Sequence, residues 1–196
     1  MPSPARTDSD PAWGRVPLPE RKRVTVETIT IRPAVAADAA AIHGMIQALA
    51  EGLGMAGQVS SSPQDFLLHG FGERPAFEAL IAEQDGQPLG LSLYFFSFSS
   101  WAGKRGVYLQ DIFVDERARG TGLGKRLLAA TASRAAQQGA SFMRLAVDKD
   151  NRLARDFYRN AGMIHAERDC IYKAWNDAFE ALQGDNPGKP DGGPQA

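Results

Sequence analysis

The fold turns on the stretch Arg119-Gly120-Thr121-Gly122-Leu123-Gly124. It follows a β-rich run, Val107 to Val114, and opens a helical pattern from Gly122 to Gln138. Leu123, Leu127, Leu128 and Ala135 line one face of that helix, and Gly139 is its C-cap. Alternating glycines let several backbone N–H groups turn toward one point, with no Cβ in the way. The helix start adds partial positive charge, so the ligand expected there is a phosphate or diphosphate. Two phosphate-binding motifs fail on spacing. A P-loop needs Ser or Thr after Gly-Lys, but Arg126 follows Gly124-Lys125, and Arg119 stands where its first glycine belongs. The dinucleotide fingerprint needs a last glycine where this chain has Lys125 or Leu127. A tight turn without a ligand stays open on spacing alone.

Outward from the loop, the chain reads as a mixed domain. Thr28 to Ile31 alternates as a strand that ends at Arg32-Pro33, and residues 36–51 place Ile42, Met45, Ile46 and Leu49 at helical spacing. Ser62-Pro63-Gln64-Asp65 has an N-cap, a proline at N1 and a capping-box acid, and so opens a short helix. Phe77 to Glu83 reads as a strand, Asp85-Gly86 as a hairpin turn, and Leu89 to Phe98 and Val107 to Val114 as two more strands. Beyond the glycine-rich loop and its helix, Phe142 to Val147 reads as a strand. Asn151 to Asn160 reads as a helix with Leu153 and Phe157 as its core stripe, and Met163 to Trp175 as one or two final strands. The order predicts an α+β domain with antiparallel and parallel strand pairs.

Composition narrows the function. The chain has 196 residues, 22 Lys+Arg against 23 Asp+Glu, and 43% hydrophobic residues. That length suits one domain, expected over residues 28–183, with disordered tails at 1–27 and 184–196 where eight of the 12 prolines fall. A net charge of −1 argues against a nucleic-acid partner. A membrane span needs about 20 apolar residues and none is present; nor is there a secretory signal, so a cytoplasmic location is expected. Cys170, the single cysteine, reads as a small core residue on a late strand, and His43, His69 and His165 lack metal-ligand spacing. No metal is expected.

The segments Ile31-Arg32-Pro33-Ala34, Gly70-Phe71-Gly72-Glu73, Trp101 with Gly103-Lys104, Tyr108 to Val114, Arg119 to Gly124 and Asp156-Phe157-Tyr158-Arg159 occur together. In this the chain resembles the Gcn5-related N-acetyltransferase (GNAT) superfamily, in its diamine acetyltransferase-like branch (spermidine/spermine N-acetyltransferase and thialysine acetyltransferase relatives). The likeness runs from about Ile29 to Met163. It implies the GNAT acyl-CoA N-acyltransferase fold: a mixed central sheet with splayed parallel strands, flanked by helices. It also implies acetyl-CoA as co-substrate, a small-molecule amine as acceptor, and a homodimer. The strand Tyr108 to Val114 is then expected to carry a bulge and to splay from its neighbour. The backbone of Ile112, Phe113 and Val114 would pair with the pantetheine arm, and Arg119, Gly120, Thr121, Gly122, Leu123 and Gly124 would hold the diphosphate. Asn151, which also reads as an N-cap, and Phe157 fall at cofactor contacts. Tyr158 matches the acid that protonates the departing thiolate. Trp101 matches a residue lining the acceptor pocket, with core packing as its alternative.

Gln110 stands where polyamine-acetylating relatives carry Glu. A glutamine can orient an amine or a water but cannot take a proton. Asp111 is next along, and plain strand alternation sends it to the opposite face. A water chain, or capture of amine already neutral, is then expected to replace the base. After the first helix the chain has Gly52-Leu53-Gly54-Met55, with Glu51 as the acid nearby, where polyamine enzymes of the branch carry aromatic and acidic residues. Among polyamine, diamine and amino-acid-like acceptors, this favours the smaller ones. A peptide or protein acetyltransferase and a non-catalytic acetyl-CoA-binding regulator are the alternatives.

Overall fold

The computed structural model describes residues 28–184. The tails read at 1–27 and 184–196 lie outside the described residues, apart from Gly184. The elements are β1 (Thr30–Pro33), α1 (Ala39–Gly52), α2 (Pro63–Phe71), β2 (Glu78–Gln84), β3 (Gln87–Ser99), β4 (Lys104–Val114), α3 (Leu123–Gln137), β5 (Met143–Leu145), α4 (Arg152–Asn160) and α5 (Asp177–Gly184). The chain divides into two compact units after Val147.

The first unit is one five-stranded sheet in the order β1-β2-β3-β4-β5. The first four strands are antiparallel, and β4 pairs with β5 in parallel. The β2–β3 hairpin is closed by Asp85 and Gly86, both at positive φ, as the sequence implied. Alternation along the strands gives the sheet two apolar faces. On one, Ala79, Ile81, Leu91, Leu93 and Phe113 pack with Ile42 and Met45 of α1, and Phe66, Phe71 and Phe77 close the margin. On the other lies α3, with Leu123, Leu127, Leu128, Thr131 and Ala135 buried. A Cβ on Gly90 would meet the Leu127 side chain and the Phe113 carbonyl, so glycine there sets how closely α3 approaches.

Polar groups fix the edges of this arrangement. Ser62 caps α2 in a capping box: its hydroxyl accepts from the Asp65 amide at 3.4 Å, and its own amide donates to the Asp65 carboxylate at 2.7 Å. Arg32 of β1 bridges Asp38 at 2.7 Å and Glu83 of β2 at 2.8 Å, tying the first strand to the entry of α1. Arg126 donates to the Ile29 carbonyl at 2.9 Å and so joins α3 to the start of β1.

The second unit, over its described residues 148–184, contains α4 and α5. Here the structure departs from the sequence reading. Met163 to Trp175 forms no strand, and Ile164, Ile171, Tyr172 and Trp175 are exposed. β-propensity is not enough to make a strand, because its backbone groups must find a paired neighbour, and these residues pair with none of the described strands. Cys170 is exposed rather than a core residue. Leu153 is 86% exposed, so the pair Leu153–Phe157 is not a core stripe. No described residue of this unit is fully buried, in line with the difficulty a segment this short has in enclosing a core. The strand read over Phe142 to Val147 shrinks to the three residues of β5.

Candidate active site

β4 is paired differently along its two edges. Toward β3 it is bonded from Lys104 to Val114, but the register slips once. Tyr94 faces Leu109 and Leu93 faces Asp111, which leaves Gln110 as the extra residue of a β-bulge. Toward β5 it pairs only at Val107, Tyr108 and Leu109. From Gln110 to Val114, therefore, one edge of β4 has no strand beside it in the sheet. This is the splay that the family resemblance implied. Phe113 is buried in the core, and Ile112 and Val114 are half-buried, so their side chains pack while their backbone edge stays available.

The chain leaves β4 through a tight turn that aims the glycine loop. The Asp115 amide donates to the Leu89 carbonyl at 2.9 Å, and the Asp115 carboxylate accepts from the Arg117 amide and guanidinium at 2.9 and 2.7 Å. Ala118 is fully buried, and the Thr121 hydroxyl donates back to its carbonyl at 2.7 Å. Arg119 reaches the Val114 carbonyl at 3.3 Å and Glu116 at 3.2 Å. Thr121 and Arg119 thus brace the loop from within. Gly120 and Gly122 sit at φ +75° and +86°, where a side chain is strained, and no heavy atom lies within 4 Å of where a Cβ would stand. The first turn of α3 follows, and its leading amides have no intrahelical acceptor. Gly122 accepts the first helical bond, from the Arg126 amide at 3.1 Å. An open, Cβ-free concavity at a helix start fits a diphosphate, and the bare β4 edge leading into it fits an extended arm carrying amides.

Asp111 lies beside the bulge. Burial pushes its carboxyl above the usual aspartate range, and it makes no hydrogen bond or ion pair among the described residues. The register also corrects the expectation that it faces away from Gln110. Cross-strand partners share a face, so Asp111 lies with Leu93 on the α1 side. Tyr108 stacks on Phe95 of that same face at 5.1 Å, so Gln110, two residues on, also falls there. The extra residue puts both on one face. The resemblance implied a bulge in this strand, but its exact position depends on which residues pair across two strands.

Trp101 is in the turn between β3 and β4, at the far end of β4 from the bulge, and is fully exposed, so it has no part in the core. In the second unit, Asn151 caps α4, its side-chain oxygen accepting from the Ala154 amide at 3.0 Å. Tyr158 is half-buried with its ring edge-on to Phe157, at 5.1 Å between centroids. Among the described residues, no three His, Cys, Asp or Glu side chains converge as a metal site, and no helix is long and apolar enough to cross a membrane.

Comparison with known proteins agrees with this geometry. Residues 45–163 match the Acetyltransferase (GNAT) family. The chain is 37% identical over 167 residues to a thialysine N-epsilon-acetyltransferase of Bos taurus, an alignment covering 80% of this chain and 98% of that one. It is 29% identical over 150 residues to a human spermidine/spermine N(1)-acetyltransferase-like protein 1, covering 73% of this chain and 21% of that longer one. Among solved structures, an integron cassette protein from the V. cholerae mobile metagenome superposes with a TM-score of 0.68 at 21% identity, over 80% of this chain and 98% of that one. A half-paired strand running into a left-handed glycine pair, on a chain matched over most of its length, makes this an acetyltransferase of the GNAT family, in its diamine acetyltransferase-like branch.

Proposed function

We propose that the chain transfers the acetyl group of acetyl-CoA to a primary amine of a small, amino-acid-like molecule, by direct attack in a ternary complex. The observation that carries this reading is the single-edged stretch of β4 opening onto Gly120 and Gly122. Acetyl-CoA supplies the activated acetyl carbon. The backbone of Ile112, Phe113 and Val114 receives the pantetheine arm, and Arg119 through Gly124 receive the diphosphate on amides. A free amide on that edge polarises the acetyl carbonyl. From the family resemblance alone, Asn151 and Phe157 are assigned to cofactor binding and Tyr158 as the acid that protonates the departing thiolate. Gln110 orients the acceptor.

Several features support a small acceptor. The relatives named for thialysine align over nearly their whole length. The segment after α1, Leu53 to Met55, is exposed and carries no acid with which to hold a polycation. Trp101 stands free at a hairpin tip, so its assignment to the acceptor pocket goes with a homodimer in which another copy receives it. The protein is assigned to the cytoplasm and to catalysis without metal, nucleic acid or membrane.

The test is thiol release with acetyl-CoA against a panel of amino acids, diamines, polyamines, peptides and a lysine-rich protein. Release is expected with the amino-acid-like amines. Tyr158→Phe is expected to lower turnover about tenfold or more while calorimetry shows unchanged acetyl-CoA affinity. Release only on peptides or proteins gives the site to a macromolecular acceptor. Binding without release on any acceptor makes the chain a cofactor sensor.

A further inference from the structure

The bulge gives β4 two residues where β3 has one, and this reverses the side-chain alternation downstream. Leu109, opposite Tyr94, points to the α3 side, while Asp111, opposite Leu93, points to the α1 side with Phe113. Asp111 therefore stands between two members of the apolar cluster, with no partner among the described residues, at the start of the unpaired β4 edge. The titratable groups on the elements packed around it are few. Tyr94 on β3 is committed to Glu78 on the other face, at 3.0 Å. On α1, His43 engages the Ser61 carbonyl at 2.8 Å, and Glu51 lies at the exposed C-terminal end. A half-buried carboxylate with no cation beside it among the described residues is a costly feature that packing alone would not call for. Gln110, on the same face and exposed, can hold a water or an amine but accepts no proton.

We propose that Asp111 is the proton acceptor for the acceptor amine, working beside Gln110, which orients the amine or a bridging water. The proposal rests on the small-amine reading above. In the step, one N–H bond of the bound ammonium breaks and its proton passes to the Asp111 carboxylate, directly or through that water. The freed nitrogen lone pair forms the N–C bond to the acetyl carbon. The C–S bond breaks and the sulfur leaves with its electron pair, taking a proton from the general acid, the role assigned to Tyr158 by resemblance. The second amine proton, lost as the amide forms, passes through solvent to restore the general acid, and Asp111 gives the first proton up to solvent. Burial raises the basicity of Asp111, the direction that helps a proton acceptor.

The experiment compares Asp111→Asn with wild type, using thialysine as acceptor in a thiol-release assay from pH 6 to pH 10, with melting temperatures recorded in parallel. The expected loss in kcat/KM is about 100-fold or more at pH 7. It narrows as the pH approaches the acceptor's own pKa, where the amine arrives already neutral. KM for acetyl-CoA stays the same. The melting temperature of Asp111→Asn at pH 7 is equal to or above wild type, because a half-buried charge without a described partner has been removed. Activity within threefold of wild type at pH 7, or a loss that is constant across the pH range, overturns the proposal and leaves the acetyltransferase reading intact. A wild-type protein silent on thialysine and every other small amine overturns both.

Discussion

Glu78 and Asp111 are carboxylates of the same sheet, on opposite faces and in opposite states. On the α3 face, burial pushes Glu78 up, but its partners outweigh that and hold it below the usual glutamate range. Gln138 donates to it at 3.0 Å, Arg134 at 2.9 Å and the buried Tyr94 hydroxyl at 3.0 Å. On the α1 face Asp111 has no hydrogen-bond or ion-pair partner among the described residues, and burial alone raises it. A carboxylate whose acceptor positions are filled serves as a joint between strand and helix. One left without donors has lone pairs to spare for chemistry.

Four measurements break or sharpen that contrast. The largest effect is expected at Asp111, where the asparagine variant loses about 100-fold in kcat/KM at pH 7. Its stability moves the other way. The folded pKa of Asp111 lies above its unfolded value, so its contribution is fully present below the unfolded value of about 3.9 and is lost as pH rises through the folded pKa. Asp111→Asn should therefore gain on wild type as pH rises from 4 to 8 in chemical denaturation. A falling difference would place Asp111 among the structural acids.

Glu78→Gln comes next and has the opposite sign. The folded pKa of Glu78 is depressed, so its stabilisation is present above the unfolded value of about 4.3 and is lost as pH falls through the folded pKa. With its side chain 29% exposed, the expected cost at pH 7 is about 1–2 kcal/mol, shrinking toward pH 3, with kcat/KM unchanged. A turnover defect in this variant would erase the division of labour between the two faces. Gly122→Ala follows. The strain of a Cβ at φ +86° and its intrusion on the loop should weaken acetyl-CoA about tenfold by calorimetry. The pH responses of both acids should not change, which separates cofactor grip from proton transfer. The smallest effect is expected from Ser92→Ala. Loss of the buried Ser92–Thr131 hydrogen bond, at 2.7 Å, should cost about 1 kcal/mol in urea denaturation.

Much of the first unit was legible because its signals are local. Glycine spacing, the Ser62 cap and the Asp85-Gly86 turn each act within a few residues, and the structure has all of them as read. The bulge was not legible from the residues themselves. Gln110 and Asp111 read as ordinary alternating strand positions, and only the pairing of β3 with β4 puts them on one face. The misreadings in 148–184 have a related cause. Ile171-Tyr172 has strong β propensity, and Leu153 with Phe157 has helical spacing, but a strand needs a partner and a stripe needs a surface to cover. The second unit encloses neither within itself. α5 has a weaker local signal, the acids Asp177 and Glu180 in its first turn.

The Ser92–Thr131 pair has an effect beyond its own energy. Both residues are fully buried, and the Thr131 hydroxyl also returns a bond to the Leu127 carbonyl at 2.9 Å. A helix seated on leucines alone can roll or slide by small steps at little cost, whereas a buried hydroxyl must meet its mate or go unsatisfied. Thr131 therefore acts as a key in a shaft and locks the angular setting of α3. Two turns upstream, that setting determines where the leading amides of the helix are pointed.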